Sequence, residues 1–254
     1  MCRSERLAAM RSGELGSIHS WELVTAVDGP GTRMTVFLSG CPLRCLYCHN
    51  PDTLKMRDGT PVMTEDLLNR ITRYKSVFDV TGGGVTFSGG EPMMQPAFLS
   101  RLLAGCRDLG IHTTIDTSGF LGANASPAML RNLDLVLLDV KSGDPDTYRK
   151  VTGRPLEPTI AFGQRLCDAG VPMWIRYVLV PGLTDEPRNI AAAADIVSQW
   201  DTIRRVEVLP FHQMAKDKWH DLGMTYQLAD TEPPTKKAVK AAQAIFRSRG
   251  LTVY

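Results

Sequence analysis

The sequence lacks the features that would place the protein in a membrane or on nucleic acid. No apolar run approaches the roughly 18 residues that a membrane-spanning helix needs. The 29 basic and 27 acidic residues nearly balance, so the concentrated positive charge of nucleic-acid-binding proteins is missing. The arginines near the N-terminus are followed by no apolar stretch, which excludes a secretory signal. We therefore expect a cytoplasmic protein that binds neither membranes nor nucleic acids.

Low-complexity tracts, internal repeats and long linkers are also missing. With 254 residues, 43% of them hydrophobic, the chain can build one sizeable core. Residues 1–15 contain no clear pattern and are expected to form a flexible N-terminal extension. Residues 16–254 are expected to form a single domain, and a monomer is the default expectation.

Six short apolar segments have the pattern of strands that are buried on both faces. They are Met34–Ser39, Gly84–Phe87, Ile111–Asp116, Leu135–Asp139, Met173–Val180 and Val206–Leu209. Amphipathic segments with helix start and stop signals alternate with them. They are Thr64–Lys75, Gln95–Leu109, Ser126–Asn132, Pro158–Ala169, Glu186–Trp200 and Thr235–Arg249. This alternation predicts an α/β fold with a parallel sheet and right-handed crossovers.

The distribution of polar residues distinguishes a barrel from an open doubly wound sheet. Residues capable of chemistry follow every predicted strand, whereas an open sheet concentrates its site at one switch point. Barrel enzymes build their sites from the C-terminal ends of many strands. We therefore predict a single-domain partial (β/α)6 TIM-like barrel.

Only six cysteines are present, and three of them are crowded into one segment. Cys41, Cys45 and Cys48 are separated by four and three residues. In a reducing compartment such a trio indicates a metal site or catalysis rather than disulfides. The other three cysteines are scattered and are expected to be small buried hydrophobes or incidental surface thiols.

Four interpretations of the cysteine segment compete. A structural zinc site needs four tetrahedral ligands, but no second pair lies nearby and His49 directly adjoins Cys48. A covalently attached haem matches the C-x-x-C-H pattern, but that chemistry belongs outside the reducing cytoplasm. A ferredoxin-like carrier needs a fourth cysteine for its cluster. The last interpretation is a four-iron cluster held by three cysteines, with one iron open to substrate.

The C-x-x-x-C-x-x-C spacing is the hallmark of the radical S-adenosylmethionine superfamily. Over nearly the whole chain the sequence resembles the pyruvate formate-lyase activating enzymes, which are glycyl-radical activases of that superfamily. The resembling segments are Val27–Gly31, Gly40–Thr53, Gly82–Glu91, Trp174–Val178 and Leu209–His212. Several relatives insert a cysteine-rich domain after the cluster loop. Residues 49–88 contain no cysteine, which is typical of the compact form.

The resemblance implies the cofactors and the residues that contact them. It implies that Cys41, Cys45 and Cys48 hold a [4Fe-4S] cluster whose open iron binds S-adenosyl-L-methionine. Further contacts to that cofactor are implied for Tyr47, His49, Gly89, Gly90, Glu91, Asp139, Lys141 and His212. A monovalent cation is implied near two aspartates, Asp116 and Asp139, although aspartates at strand ends also commonly cap loops.

Two residues are expected to contact the protein substrate. Asp28 lies in the activase-like segment before the cluster loop, and Arg176 lies on the fifth predicted strand. For Arg176 an ordinary salt bridge is an equal alternative. The protein substrate implied by the resemblance is pyruvate formate-lyase.

The implied reaction is reductive cleavage of S-adenosylmethionine to methionine and a 5′-deoxyadenosyl radical. Flavodoxin or ferredoxin would supply the electron, and the radical would take a hydrogen from a glycine of pyruvate formate-lyase. One alternative is the activase of another glycyl-radical enzyme, or another radical enzyme of the superfamily. A second alternative is a non-catalytic iron–sulfur electron carrier.

Overall fold

The computed structural model describes residues 2–25 and 27–254, without the side chains of residues 24 and 25. The strands are β1 (Leu15–Thr25), β2 (Arg33–Leu38), β3 (Thr60–Met63), β4 (Gly84–Gly89), β5 (His112–Thr117), β6 (Leu135–Asp139), β7 (Met173–Leu179) and β8 (Ile203–Pro210). The helices are α1 (Arg3–Ser12), α2 (Thr64–Thr72), α3 (Lys75–Thr81), α4 (Pro96–Asp108), α5 (Pro127–Arg131), α6 (Pro145–Thr152), α7 (Glu157–Asp168), α8 (Pro187–Val197), α9 (Lys216–Asp221) and α10 (Lys236–Arg247). None of the described helices is long and apolar enough to cross a membrane.

The strands follow one another in the order β3-β1-β2-β4-β5-β6-β7-β8. Neighbours β2 and β4, β4 and β5, and β7 and β8 run parallel. Because β3 and β8 stand at the two ends of this order, the sheet is open, as expected for a partial barrel. The six strands predicted from the sequence are present as β2 and β4 to β8, with ends displaced by at most three residues.

Two strands, β1 and β3, were not predicted from the sequence, and both belong to the antiparallel part of the sheet. Strand β1 pairs with β2 on one side and with the short strand β3 on the other. Strand β3 begins Thr-Pro, and a proline weakens a strand prediction because it cannot donate a ladder hydrogen bond. Here Pro61 is tolerated because β3 lies at the end of the strand order.

Helix α1 occupies most of the segment expected to be a flexible extension, and the sequence analysis did not predict it. A capping box between Cys2 and Glu5 begins the helix, and Gly13 ends it with a positive φ of 77°. A Cβ atom on Gly13 would lie 2.4 Å from the backbone of Ala97, so only glycine fits this close approach. The Gly13 carbonyl also accepts a hydrogen bond of 2.6 Å from the Thr64 hydroxyl.

The chain divides into two compact units. The first contains residues up to Pro42 together with Thr53–Thr117 and Ala123–Leu137. The second contains Leu43–Asp52, Ser118–Gly122 and Leu138–Tyr254. Each unit has a core of its own: Met34, Val36, Val85, Phe87 and Ile115 are fully buried in the first, and Ile175, Tyr177, Val206 and Phe246 in the second.

Candidate functional site

The first cysteine follows strand β2 and is held by backbone hydrogen bonds within the first unit. The Gly40 N–H donates to the Thr53 carbonyl at 2.7 Å, and the Cys41 N–H donates to the Leu54 carbonyl at 3.1 Å. Gly40 has a positive φ of 100°, a backbone conformation that favours glycine. These two hydrogen bonds fix the backbone position of the half-buried Cys41 just after the end of β2.

The other two cysteines lie in the second unit, where the loop is anchored on the end of helix α6. The backbone N–H groups of Arg44 and Leu46 donate to the carbonyls of Thr152 and Val151 at 2.8 and 3.0 Å. Backbone bonds of this kind do not depend on side-chain identity. The loop is therefore held in place independently of the cysteine thiols.

The Cys45 and Cys48 thiols are protonated in the absence of a bound metal. Burial raises the pKa of Cys45 to about 12, and the nearby ammonium of Lys141 only partly opposes it. Burial also raises the pKa of Cys48. Metal binding to such thiols must release their protons, because the thiolate is the ligand.

A donor set of three cysteines fits an iron–sulfur cluster chemically. Within residues 2–25 and 27–254, no three His, Cys, Asp or Glu side chains come close enough together to hold a single metal ion. A four-iron cluster makes a different demand, since each cysteine binds its own iron. Thiolate ligands are also those that iron–sulfur clusters select.

A buried ion pair lies beside the loop in the second unit. The Lys141 ammonium lies 2.7 Å from the Asp139 carboxylate and 5.6 Å from the centre of the Tyr47 ring. Burial lowers the pKa of Lys141, but the Asp139 carboxylate, together with Cys45 and Tyr47, outweighs this and raises that pKa well above its usual value. Lys141 is therefore a permanent cation here, and one oxygen of Asp139 is already engaged by it.

Two predicted cofactor-contacting histidines lie against each other. The rings of His49 and His212 have their centres 4.2 Å apart. Partial burial and the neighbouring His212 lower the pKa of His49 to about 4. The His49 imidazole is therefore neutral at physiological pH and can accept a hydrogen bond.

The Gly-Gly pair at the end of β4 is required by the packing of the first unit itself. Gly89 has a positive φ of 104°, and a Cβ on it would lie 2.5 Å from the backbone of Leu38. A Cβ on Gly90 would lie 2.3 Å from the Gly40 carbonyl oxygen. Both glycines are therefore required by the close approach of neighbouring backbone segments.

Glu91 is buried, with 1% of its surface exposed. Its Oε1 atom accepts hydrogen bonds from the Thr117 hydroxyl at 2.7 Å and from the Met93 N–H at 3.2 Å. Its own N–H donates to the Gly40 carbonyl at 2.8 Å. The sequence analysis did not single out Thr117, although its place beside Asp116 at a strand end was a usable signal.

The strand-end aspartate Asp116 also has a partner on a neighbouring strand. Its Oδ2 atom accepts a hydrogen bond of 2.7 Å from the Ser88 hydroxyl. Ser88 lies on β4 and Asp116 on β5, so this bond joins the ends of two adjacent strands. It fixes one carboxylate oxygen of Asp116.

The two predicted substrate-contacting residues both have partners inside the protein. Asp28 is half-buried, and its Oδ2 atom accepts a hydrogen bond of 3.0 Å from the Thr35 hydroxyl. Arg176 is buried, and its guanidinium lies 3.3 Å from the Glu207 carboxylate. The salt bridge that the sequence analysis left as an alternative for Arg176 is therefore present.

A layer behind the cysteine loop was not predicted. The Trp219 indole N–H donates to the Cys48 carbonyl at 2.9 Å. The Lys218 ammonium lies 3.2 Å from both Asn50 Oδ1 and Asp52 Oδ2. Lys218 and Trp219 belong to the six-residue helix α9, whose position after the sixth predicted strand was the only signal.

Several buried polar atoms of the second unit have no hydrogen-bond partner among the described residues. They include Tyr47 Oη, Tyr226 Oη and His212 Nδ1. An unpaired buried polar atom costs about 1–3 kcal/mol. Atoms of this kind are expected where a polar group outside the protein completes the site, so they fit the presence of a cluster and its cofactor.

Comparison with known proteins agrees with this chemistry. Residues 35–194 match the Radical SAM superfamily. The pyruvate formate-lyase-activating enzyme of Staphylococcus epidermidis is 43% identical over 235 residues, which cover 89% of this chain and 93% of that protein. The enzyme of the same name from Staphylococcus aureus is 42% identical over 243 residues, with 92% and 96% covered.

Solved structures show the same fold. A domain of a pyruvate-formate lyase-activating enzyme from Bacteroides vulgatus is 27% identical with a TM-score of 0.57, covering 68% of this chain and 98% of that one. A radical SAM methyltransferase from Sphaerobacter thermophilus is 16% identical with a TM-score of 0.67, covering 100% and 81%. The predicted α/β partial-barrel class is thereby confirmed. The chain belongs to the Radical SAM superfamily, in the family of the pyruvate formate-lyase-activating enzymes.

Proposed function

We propose that this protein activates pyruvate formate-lyase by generating a glycyl radical on it. The observation that carries the proposal is the 42–43% identity with activating enzymes over nearly their whole length. When bound, a [4Fe-4S] cluster with S-adenosylmethionine supplies the reductive cleavage that yields methionine and a 5′-deoxyadenosyl radical, which abstracts hydrogen from a partner glycine. The chain's own residues hold these groups and exclude water.

The cluster ligands in this proposal are Cys41, Cys45 and Cys48. Backbone hydrogen bonds hold each half of the loop, so the thiols are presented by a frame that does not need the metal. Because burial raises the pKa of Cys45, iron that binds there must displace the thiol proton. Because only three cysteines are supplied, one iron is left for the cofactor.

The cofactor contacts in this proposal are acidic, basic and aromatic side chains together with two glycines. Glu91 would accept a hydrogen bond from the cationic amine of S-adenosylmethionine, since a carboxylate can accept several hydrogen bonds and binds a cationic donor strongly. The remaining contacts would be Tyr47, His49, Gly89, Gly90, Asp139, Lys141 and His212. A monovalent cation would use Asp116 and Asp139, where carboxylate oxygens suit a hard ion.

The proposed partners are two other proteins. Pyruvate formate-lyase is the proposed substrate, with Asp28 and Arg176 as its proposed contacts, and flavodoxin or ferredoxin is the proposed electron donor. We propose that the enzyme works as a monomer in the cytoplasm, with residues 16–254 as its catalytic domain.

The test is 5′-deoxyadenosine formation by anaerobically reconstituted protein with S-adenosylmethionine and a strong reductant. We expect product to rise in proportion to added pyruvate formate-lyase, up to one per activated site. Product that is independent of pyruvate formate-lyase would keep the radical chemistry and refute the partner. A full cluster that forms no product would support the electron carrier instead.

We predict that Glu91→Gln weakens binding of S-adenosylmethionine about 10- to 100-fold, the worth of a hydrogen bond to a charged group. Glutamine keeps the shape and can still accept from Thr117 and Met93, so the fold should be preserved. Calorimetric titration of the cofactor into the cluster-loaded variant measures the effect. Glu157→Gln, an exposed change in the first turn of α7, is the control; equal affinities in the two variants would refute the role of Glu91.

We predict that Trp219→Phe makes the cluster more labile. Phenylalanine keeps a large ring but loses the N–H that holds the Cys48 carbonyl. Losing a hydrogen bond from a residue that supports a metal ligand typically lowers metal affinity about 10-fold or more. Iron release to a chelator, followed by absorbance, measures it, with Trp174→Phe on strand β7 as the control; identical release rates would contradict the prediction.

A further inference from the structure

A compact aromatic and aliphatic cluster packs behind the cysteine loop within the second unit. Its buried members are Tyr47, Val151, Val180, Phe211, Ala215, Trp219 and Tyr226. Cys48 is half-buried and packs against this cluster. The immediate environment of one proposed cluster ligand is therefore apolar, apart from the few polar atoms that the cluster contains.

Tyr226 contributes one of those polar atoms. Only 8% of its surface is exposed, and its hydroxyl has no hydrogen-bond partner among the described residues. Buried tyrosine hydroxyls usually find a partner, because leaving one unpaired costs about 1–3 kcal/mol. Nothing in the proposed cofactor contacts uses this hydroxyl.

Trp219 contacts both Tyr226 and the backbone of Cys48. Its ring centre lies 5.4 Å from that of Tyr226, and its indole N–H holds the Cys48 carbonyl at 2.9 Å. One side chain thus contacts both the tyrosine and the cysteine. A tyrosine hydroxyl carries its proton at neutral pH and can donate a hydrogen bond.

We propose that the Tyr226 hydroxyl donates a hydrogen bond to the Cys48 thiolate when the cluster is assembled, and thereby raises the reduction potential of that cluster. The inference rests on the proposed function, since it requires that Cys48 is a cluster ligand. Tyr226 is a positioning residue in this account, because it acts through Cys48 and touches neither the cofactor nor the partner.

The physical reason is the added negative charge of the reduced cluster. A hydrogen bond to a cysteine sulfur stabilises that charge, and such bonds are among the factors that set cluster potentials. In an apolar, low-dielectric environment a single donor has a larger effect than it would in water. The hydroxyl therefore makes the cluster easier to reduce.

The test compares Tyr226→Phe with Tyr254→Phe. Both changes remove one phenolic hydroxyl, but Tyr254 is 65% exposed at the C-terminus. Phenylalanine keeps the ring that packs on Trp219, so the variant should fold and bind iron normally. The midpoint potential of each reconstituted protein is measured by redox titration with electron paramagnetic resonance detection.

We expect a lower midpoint potential for Tyr226→Phe alone, with Tyr254→Phe equal to the wild type. Electron–nuclear double resonance of the reduced wild type should also show an exchangeable proton coupling that Tyr226→Phe lacks. Equal potentials and unchanged proton couplings would overturn the inference, as would a folded Tyr226→Phe that takes up no iron. A wild type that binds no cluster would instead refute the proposed function.

Discussion

Replacing Cys45 by alanine is expected to abolish cleavage of S-adenosylmethionine while leaving the protein folded. The loop that carries Cys45 is held by the backbone N–H groups of its neighbours Arg44 and Leu46, not by the thiol. Removing one sulfur atom from this buried position should lower the free energy of unfolding by only about 1 kcal/mol. With two cysteines left in the segment, a cluster that keeps one iron open can no longer be held.

Iron content, 5′-deoxyadenosine formation and thermal unfolding of the apoprotein together measure this prediction. Cys167→Ala is the matched control, because Cys167 lies outside the motif and its thiol bonds Asp201. We expect the control to keep full iron and activity. Retained cleavage in Cys45→Ala would remove this residue from the cluster, and unfolding of its apoprotein would show that the thiol is structural.

The second large effect is expected on stability, at Arg33. This residue begins strand β2, and its side chain is fully buried. Its guanidinium donates to the Thr86 hydroxyl and the Val85 carbonyl, both at 2.6 Å, to the Thr114 hydroxyl at 2.9 Å and to the Pro30 carbonyl at 3.1 Å. It thus joins the three parallel strands β2, β4 and β5.

Arg33→Met is expected to lower the free energy of unfolding by about 2–4 kcal/mol, since it leaves several buried acceptors without their donor. Burial lowers the pKa of Arg33 to about 10, with the Asp28 carboxylate opposing this effect, so the group is charged at neutral pH. The change should also disturb Asp28, whose carbonyl accepts from the same Thr86 hydroxyl at 2.6 Å.

Denaturant unfolding of the apoprotein measures this effect. Arg57→Met is the control, because the Arg57 side chain is 81% exposed and such surface changes usually stay within about 0.5 kcal/mol. If both variants unfold at the same denaturant concentration, the buried hydrogen-bond network of Arg33 contributes nothing to stability.

The parallel part of the fold was predictable because its signals are local. Strands such as Leu135–Asp139 are continuous apolar runs, and helices such as α4 end at a glycine. Strand β1 escaped prediction because its apolar residues form neither a continuous run nor a strict alternation with polar ones. The burial of Arg33 also escaped prediction, because a charged residue next to an apolar run usually marks the exposed end of a strand. In the folded protein, acceptors on two other strands bind its guanidinium.

The residues of the candidate site also differ in whether local sequence signals identify them. The three clustered cysteines, Glu91 and Lys141 lie in recognisable sequence motifs, so the sequence identifies them directly. Trp219 bonds the Cys48 carbonyl and Tyr226 packs on Trp219, both more than 170 positions away from Cys48, and no spacing rule relates such distant residues. Their importance follows from burial, from one indole hydrogen bond and from an unpaired hydroxyl, which only a folded structure reveals.

We propose that this protein moves a hydrogen atom from a glycine of pyruvate formate-lyase to the 5′-deoxyadenosyl group. The most direct test uses pyruvate formate-lyase grown with α-deuterated glycine, incubated anaerobically with reduced protein and S-adenosylmethionine. We predict 5′-deoxyadenosine that carries a single deuterium by mass spectrometry. Product without deuterium, formed in equal amount, would show that the hydrogen comes from elsewhere and would contradict the account.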